Sequence, residues 1–251
     1  MEIFLIVVIG ALGLAVGSFL NAAVYRLHIG KPQSLLTDRS ICPNCKKKLA
    51  VRDLIPLVSF LVLRGKCRFC KKPIDPIYFW TELATGLAFL AVALFGACGT
   101  IPLLLNLLFV SILIFLGSYD ARFGEIPDSI AIFGIVFALI FAPHFWPAVL
   151  GALVGGGFFT ALVLISNGKW MGGGDIRLGL LLGALGGWRG FAVALFVASF
   201  TGSLFGLTQI FKKKKKLKSA IPFAPFLAVG GIVAILFTEK IWSWYLGFLL
   251  A

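Results

Sequence analysis

The sequence predicts an α-helical polytopic membrane protein with about eight transmembrane helices and one cysteine-bearing loop. Of its 251 residues, 60% are hydrophobic and only 13% are charged, which is more apolar surface than a soluble domain of this length can bury. Several apolar runs reach the ~18–20 residues that a helix needs to cross a ~30 Å hydrocarbon core. Lys and Arg residues cluster in the segments that join these runs. These three observations together indicate that lipid is the solvent of most of the chain.

Eight spans are expected in order along the chain, at residues 3–25, 77–97, 101–119, 129–146, 148–166, 176–188, 190–211 and 220–237. The first has no basic segment before it and no A-x-A cleavage site, so we expect a retained span and not a signal peptide. The sixth is short, about 20 Å as a helix. We therefore expect the preceding segment NGKWMGGGD to dip into the membrane as irregular backbone, which brings Asp175 into the membrane zone.

The distribution of positive charge predicts the orientation of these helices. Of the 23 Lys and Arg residues, 21 lie in segments on one side, with twelve between Arg26 and Pro76 and six between Lys212 and Lys218. Only Arg189 and Lys240 are left on the other side. The positive-inside rule places the rich side in the cytoplasm and both termini outside. The net charge of +13 is therefore a topology signal, and we expect membrane lipids, not nucleic acid, to be its counterpart.

Two aspartates are the candidate catalytic residues. Asp120 directly follows the third apolar run, and Asp175 follows three glycines in MGGGDIRLG. Two spans separate them, so both face the same leaflet. Two adjacent carboxylates do not both ionise readily, so one can hold a proton while the other activates water, which is aspartic-protease chemistry. A solvated or helix-capping role is the common alternative for an aspartate at the end of a span, and we expect Asp128 to be the N-cap of the fourth span.

Four cysteines in the first large loop predict a metal site. They form the pairs CPNC, with Cys42 and Cys45, and CRFC, with Cys67 and Cys70, separated by 21 residues. Two such knuckles can present four thiolates tetrahedrally to zinc. Disulfides are the alternative, which a reducing cytoplasmic loop disfavours, so we expect a structural Zn²⁺ in a cytoplasmic zinc-knuckle loop. The segment DLIPLVSFLVL between the pairs is too short to span, and we expect it to form a small core or to lie at the interface.

These motifs together resemble those of the type IV prepilin peptidases, bifunctional membrane enzymes of the GxGD aspartic class. The resemblance covers nearly the whole chain and depends on several segments in the same order: GSFLNAAVYRL, the paired CxxC motifs, DLIPLVSFLVLRGKCRFC, TELATGLAF, Asp120 ahead of IPD, MGGGDIRLG and IPFAPFLAVGG. The chain differs at Arg177, where the family commonly has lysine, but the positive charge is kept.

The resemblance implies an aspartic endopeptidase that cleaves the leader of a type IV prepilin or pseudopilin after a glycine, with Asp120 and Asp175 as the catalytic pair. It also implies N-methylation of the new N-terminal residue from S-adenosylmethionine, in type IV pilus assembly or type II secretion, at the cytoplasmic face of a bacterial inner membrane. The methyltransferase-associated region would be residues 1–98, and the peptidase region residues 99–251. No motif identifies the residues that bind S-adenosylmethionine.

Two other classes of protein are alternatives. A transporter would use membrane carboxylates as a proton relay, but it predicts an internal duplication, and the two halves show no convincing one. The other alternative is a zinc-stabilised assembly protein without activity. Mass spectrometry of a prepilin incubated with the purified protein discriminates among the three. Glu82, near the start of the second span, is a candidate ligand for the new amino terminus of the substrate, with a solvated carboxylate at a helix end as the alternative.

Overall fold

The computed structural model describes residues 3–30, 40–96, 99–211 and 221–250. The helices in these residues are α1 (Ile3–His28), α2 (Val58–Val62), α3 (Ile77–Phe95), α4 (Thr100–Phe123), α5 (Asp128–Ile140), α6 (Phe145–Ser166), α7 (Gly173–Phe211) and α8 (Ala224–Leu250), with a 3₁₀ turn at Val51–Asp53. Six of them, α1, α3, α4, α6, α7 and α8, are long and apolar enough to cross a membrane. The chain is therefore a multi-pass membrane protein, as the sequence predicts.

Large apolar side chains cover the outer faces of these helices. Leu87 on α3, Leu104 on α4 and Phe196 on α7 are all more than half exposed. A helix of a soluble protein buries one apolar stripe and presents polar residues elsewhere, whereas these helices are apolar on every face. Such a surface is stable only in contact with lipid.

Helix α7 is a hairpin of two arms and not one continuous rod. Its 39 residues would measure about 58 Å as a straight helix, far more than the bilayer core. Gly187 interrupts it with φ 61° and ψ −168°, a conformation that is essentially restricted to glycine. The Phe159 ring contacts both Gly179, before the break, and Phe191, after it, so the chain reverses at Gly187. The arms, α7a (173–186) and α7b (188–211), agree with the predicted sixth and seventh spans.

The reversal at Gly187 carries a group of aromatic side chains. The Trp188 and Trp242 ring centroids are 5.1 Å apart, and the guanidinium of Arg189 lies over both rings. The Trp242 indole N–H also donates to the carbonyl of Arg189. Trp residues in such a cluster are typical of the boundary between lipid and water, so the turn between α7a and α7b marks one membrane surface.

The chain divides inside α4 into two compact units, Met1–Ser111 and Ile112–Ala251. In the first unit, α1 and α3 pack in antiparallel directions, with Gly10 against Leu90 and Gly17 against Glu82. The small glycine surfaces allow the two backbones to approach closely, which is the usual basis of helix association in lipid.

In the second unit, α7a lies in the middle of the helices around it. It packs antiparallel to α6, with the backbones in contact where Gly155 meets Gly179. It runs parallel to α5. Asp128 pairs with Arg177 near the start of both helices, and Gly134 contacts Leu181 further along both of them. Helix α8 returns along α7b and also contacts α4 at Gly117. The last turn of α4 and the first turns of α5, α7a and α8 therefore gather at one end of the unit.

Several predicted boundaries differ from the structure. The fourth span was expected at 129–146, but α5 ends at Ile140, because Pro143 disfavours helical backbone in the residue before it. The eighth was expected to end at residue 237, but α8 continues to Leu250. The NGKWMGGGD segment is not irregular throughout, since α7 already begins at Gly173. The lysine run at 212–218, residue 97 and residue 220 lie outside the described residues.

Candidate active site and cysteine cluster

Asp120 is a buried residue in the last turn of α4. It is 9% exposed, and its carboxylate accepts a hydrogen bond from the backbone N–H of Ala224, the first residue of α8. Gly117, almost one turn earlier, makes this contact possible. A Cβ at Gly117 would lie 3.2 Å from the Cα of Pro225 and 3.1 Å from the Cβ of Ala228. The start of α8 therefore holds the Asp120 side chain in place.

Asp175 is the third residue of α7a and is half-buried. Its carboxylate accepts a hydrogen bond from the backbone N–H of Gly172, and its own N–H donates to the Gly172 carbonyl at 3.2 Å. A carboxylate that reaches back from the third position to the residue before the helix is half of a capping box. Asp175 therefore starts the helix as well as occupying the site, so it has part of the structural role that was considered as an alternative.

The structure brings Asp120 and Asp175 together. The two residues are 55 positions apart in the chain, and they lie close enough for the negative charges of their carboxylates to repel. Parity of the spans predicted only that they face the same side. Their proximity follows from two helices that contact both α4 and α7a: Gly134 on α5 lies against Leu181, and Gly231 on α8 lies against Leu113 and Leu182. Two interacting carboxylates are what acid–base hydrolysis of a peptide bond uses.

Asp128 has a different role from the predicted one. It is not the N-cap of α5, because Pro127 occupies that position and Asp128 is the first residue inside the helix. Its carboxylate instead accepts a hydrogen bond from the guanidinium of Arg177 at 2.8 Å. Nearby, the Ile126 side chain packs against the backbone of Gly174. The connection between α4 and α5 and the first residue of α5 are thus attached to the start of α7a at two points, Gly174 and Arg177, on either side of Asp175.

The four cysteines of the loop form one cluster. Their sulfur atoms all lie within 4.8 Å of one another, and the Sγ atoms of Cys42 and Cys70 are 4.0 Å apart. Four thiolates at 2.3 Å from a tetrahedral zinc would be separated by about 3.8 Å, so the donor set fits this ion. All four thiols are free, so no disulfide joins any two of these four cysteines. The backbone N–H of Cys70 lowers the pKa of the Cys67 thiol to about 7, whereas burial and the neighbouring thiols raise the pKa of the Cys70 thiol to about 11. Cys67 is therefore the one of these two that more readily becomes the thiolate that binds metals.

The two knuckles repeat the same local structure. The N–H of Cys42 donates to the carbonyl of Lys47, and the N–H of Cys67 donates to that of Lys72. The residue after the second cysteine has positive φ in both, 57° at Lys46 and 59° at Lys71. Each pair of cysteines is therefore presented by an equivalent turn, and the cluster joins two similar halves.

Two buried carboxylates connect the loop to its surroundings. Asp53 accepts a hydrogen bond from Arg68, in the second knuckle, at 2.7 Å. Burial opposes the charge of Asp53, but the hydrogen bonds from Arg68 and from the Ala50 N–H outweigh it and lower the pKa of this carboxyl. Glu82 is also buried, and its Oε2 accepts the backbone N–H of Leu57 at 2.8 Å. Glu82 is therefore not a solvated carboxylate, and one of its oxygens is already engaged within the protein.

Three contributors to these sites were not predicted from the sequence: the Ala224 N–H at Asp120, the Arg177 partner of Asp128, and the Leu57 N–H at Glu82. Backbone donors carry no residue signature. The only available signal was the pair of opposite charges in EIPD and GDIR, which lie 49 residues apart.

Comparisons with known proteins match two regions of the chain to family models and most of the chain to curated relatives. Residues 11–95 match the model of the bacterial Peptidase A24 N-terminal domain, and residues 107–207 match that of the type IV leader peptidase family. Among curated proteins, the chain is 34% identical to a prepilin leader peptidase/N-methyltransferase of Bacillus subtilis, over 93% of this chain and 95% of that protein. Proteins of the same name from Legionella pneumophila, at 34% identity over 98% and 96%, and from Aeromonas hydrophila, at 32% over 93% and 91%, are also similar.

No solved structure matches the chain. The family assignment therefore depends on the two family models and on relatives that are similar over nearly their full length. On this evidence, the chain belongs to the prepilin leader peptidase/N-methyltransferase family.

Proposed function

We propose that this chain cleaves the leader peptide of type IV prepilins or pseudopilins and N-methylates the new N-terminal residue, with S-adenosylmethionine as the methyl donor. The names of its relatives support both activities. The observation that carries the peptidase assignment is the proximity of Asp120 and Asp175 in one helical unit.

Cleavage uses the two carboxyl groups as a unit that shares one proton. The ionised carboxylate accepts a proton from water as the water oxygen attacks the scissile carbonyl carbon. The protonated carboxyl donates a hydrogen bond to the carbonyl oxygen and stabilises the tetrahedral intermediate. As the carbon–nitrogen bond breaks, a proton passes to the leaving nitrogen, and the pair returns to its starting state. The Ala224 and Gly172 N–H groups fix the orientation of the two side chains during these transfers.

The cysteine cluster is the proposed site of a structural Zn²⁺, held by Cys42, Cys45, Cys67 and Cys70. The sulfur separations and the free thiols support this proposal. A closed site with four thiolates leaves no open position for substrate, so the ion would supply cross-linking and not catalysis. The two knuckles enclose the segment that Asp53 and Glu82 connect to the rest of the first unit, and the metal would hold this arrangement together.

We assign methyl transfer to residues 1–98 and cleavage to residues 99–251, in the inner membrane of a bacterium and with the aspartates toward the cytoplasm. The excess of Lys and Arg on the aspartate side supports this orientation. In the second unit, the aspartates lie at the end opposite the Trp188–Trp242 cluster. Arg189 and Lys240, the two basic residues that the charge distribution assigns to the other side of the membrane, lie near that cluster.

Three aspartate variants test the peptidase proposal. Asp120→Asn and Asp175→Asn keep the side-chain size but cannot exchange a proton, so each should lower kcat for prepilin cleavage by about 10³-fold or more. Asp128→Asn is the matched control and should have a much smaller effect, because Asp128 forms an exposed ion pair. Cleavage is measured by mass spectrometry of a purified prepilin in detergent.

Methylation provides the second readout for these variants. All three variants should still methylate a pilin that has been cleaved beforehand. The substitutions should leave the fold intact, and none of them lies in residues 1–98, to which methyl transfer is assigned. Cleavage at near the wild-type rate by either Asp120→Asn or Asp175→Asn would show that the aspartates are not the catalytic pair. Proton-coupled transport without cleavage would favour the transporter alternative, and inactivity of the wild type on every prepilin would favour the assembly protein.

A further inference from the structure

The segment between the two knuckles carries an apolar surface that peptide cleavage and zinc binding leave unexplained. In α2, Val58, Leu61 and Val62 have the i, i+3, i+4 spacing that places side chains on one helix face. Leu61 is 64% exposed and Val62 is 72% exposed, and Val58 is also exposed. In a loop surrounded by water, this face would be unfavourable.

Two contacts fix the position of α2 beside a membrane-spanning helix. The backbone N–H of Leu57, the residue before α2, donates to Oε2 of Glu82 at 2.8 Å. The ring of Phe60, within α2, lies 5.4 Å from the ring of Phe79. Phe79 and Glu82 are the third and sixth residues of α3, so α2 lies beside the first ~8 Å of that helix.

The length of α3 indicates how deep this position is. Its 19 residues span about 29 Å, barely the ~30 Å thickness of the hydrocarbon core. The first turns of α3 must therefore lie within lipid if the helix is to cross at all. Trp80, in the first turn, is 62% exposed and is a residue type that favours the membrane interface. Because α2 lies at the same depth as these turns, its exposed face also meets lipid.

We propose that α2 is an interfacial membrane anchor, with Val58, Leu61 and Val62 inserted at the boundary between lipid headgroups and acyl chains. Basic residues on both sides of the segment, Arg52 and Arg64, are exposed and complement anionic headgroups. Phe60 and the Glu82 hydrogen bond hold the opposite side of the segment to α3. The anchor fixes the cysteine cluster at the membrane surface, because α2 lies in the segment that joins the two knuckles.

Depth-dependent quenching tests the proposal in the full-length protein. An environment-sensitive fluorescent amino acid replaces Val62 by codon suppression, and the protein is reconstituted in nanodiscs that contain phospholipids brominated either near the headgroup or near the chain ends. Leu87, an exposed residue in the middle of α3, is the control in lipid, and Lys71, an exposed residue of the second knuckle, is the control in water. Retained methylation of a pilin cleaved beforehand, the activity assigned to residues 1–98, confirms that the labelled region of each protein is folded.

The probe at Val62 should lose most of its emission to bromine near the headgroup and less to bromine near the chain ends. The probe at Leu87 should show the reverse order, and the probe at Lys71 should be quenched little by either lipid. Weak quenching at Val62, equal to that at Lys71, overturns the proposal. Quenching or a blue shift that appears only after a prepilin is added also overturns it, because the face would then be a binding surface for substrate.

Discussion

Two adjacent glycines in α7 should respond in opposite directions to the same substitution. Gly187 has φ 61° and ψ −168°, whereas Gly186 is helical and a Cβ there would meet no atom within 4 Å. At Gly187 a Cβ would meet only the Pro147 carbonyl oxygen, at 3.6 Å, which is an ordinary contact. Gly187→Ala therefore isolates backbone strain from steric overlap, and Gly186→Ala is the matched control.

The expected magnitudes follow from these conformations. A non-glycine residue in the backbone region of Gly187 costs about 1–3 kcal/mol, which lowers the unfolding midpoint by about 2–12 °C for a chain of this size. Gly186→Ala should instead leave the midpoint unchanged or raise it slightly, since alanine is favoured over glycine in a helix by up to about 1 kcal/mol.

Thermal unfolding in detergent micelles, followed by circular dichroism, measures both midpoints, and prepilin cleavage is measured on the same samples. Because α7a carries Asp175, Gly187→Ala should also lower the cleavage rate, while Gly186→Ala should not. Equal midpoints for the two variants would refute the assignment of a helix reversal to Gly187, and a lower midpoint for Gly186→Ala would refute the reasoning altogether.

Further predictions concern the ion pair and the cysteine loop. Asp128→Arg should slow cleavage because it places two cations together, and adding Arg177→Asp should restore most of the rate; a double variant no better than the single one would show that the pair does not position the site. Cys42→Ser should release zinc, measured by elemental analysis, and should impair methylation more than cleavage. Cys98→Ser, which changes a cysteine outside both pairs, is the control and should retain the metal. Equal loss of both activities in Cys42→Ser would contradict the assignment of methylation and cleavage to separate regions. Because the pKa of Asp53 is lowered in the folded protein, its charge stabilises the loop above about pH 4, and this contribution is lost as the pH falls further. Asp53→Asn should therefore increase proteolysis of the loop at neutral pH, and the difference from wild type should shrink in acid; a difference that grows in acid would contradict this sign.

Apolar length and charge distribution were sufficient to predict the class of fold, and cysteine spacing was sufficient to predict the cysteine cluster, whereas for the two aspartates they predicted only a shared side of the membrane. These signals are local or depend only on the parity of spans, so they can be interpreted without knowledge of tertiary packing. The extension of α8 beyond residue 237 was missed because Glu239 and Lys240 interrupt its hydropathy. Long charged side chains can reach the interface while their stems stay in lipid, and the helix continues past them.

Tertiary contacts account for the rest of the differences. Three glycines before Asp175 suggested irregular backbone, because glycine disfavours helices by about 1 kcal/mol each. The structure nevertheless makes Gly173 and Gly174 helical, and the packing of α7a against α6 offsets this cost. The partners of Asp120 and Asp128 come from α8 and α7a, which only the packed helices bring to the site.

The length of α7a has a consequence for the lipid around the enzyme. Its 14 residues, 173–186, measure about 21 Å, roughly 9 Å less than the hydrocarbon core. The Trp188–Trp242 cluster fixes the far end of this arm at a membrane surface, so the whole shortfall lies at the end that carries Asp175. The site is thus a place of hydrophobic mismatch, where the bilayer must thin or water must enter. Peptide hydrolysis needs that water, and the substrate can meet it without leaving the membrane. The cleavage rate should accordingly depend on acyl-chain length, which makes bilayer thickness a determinant of catalysis.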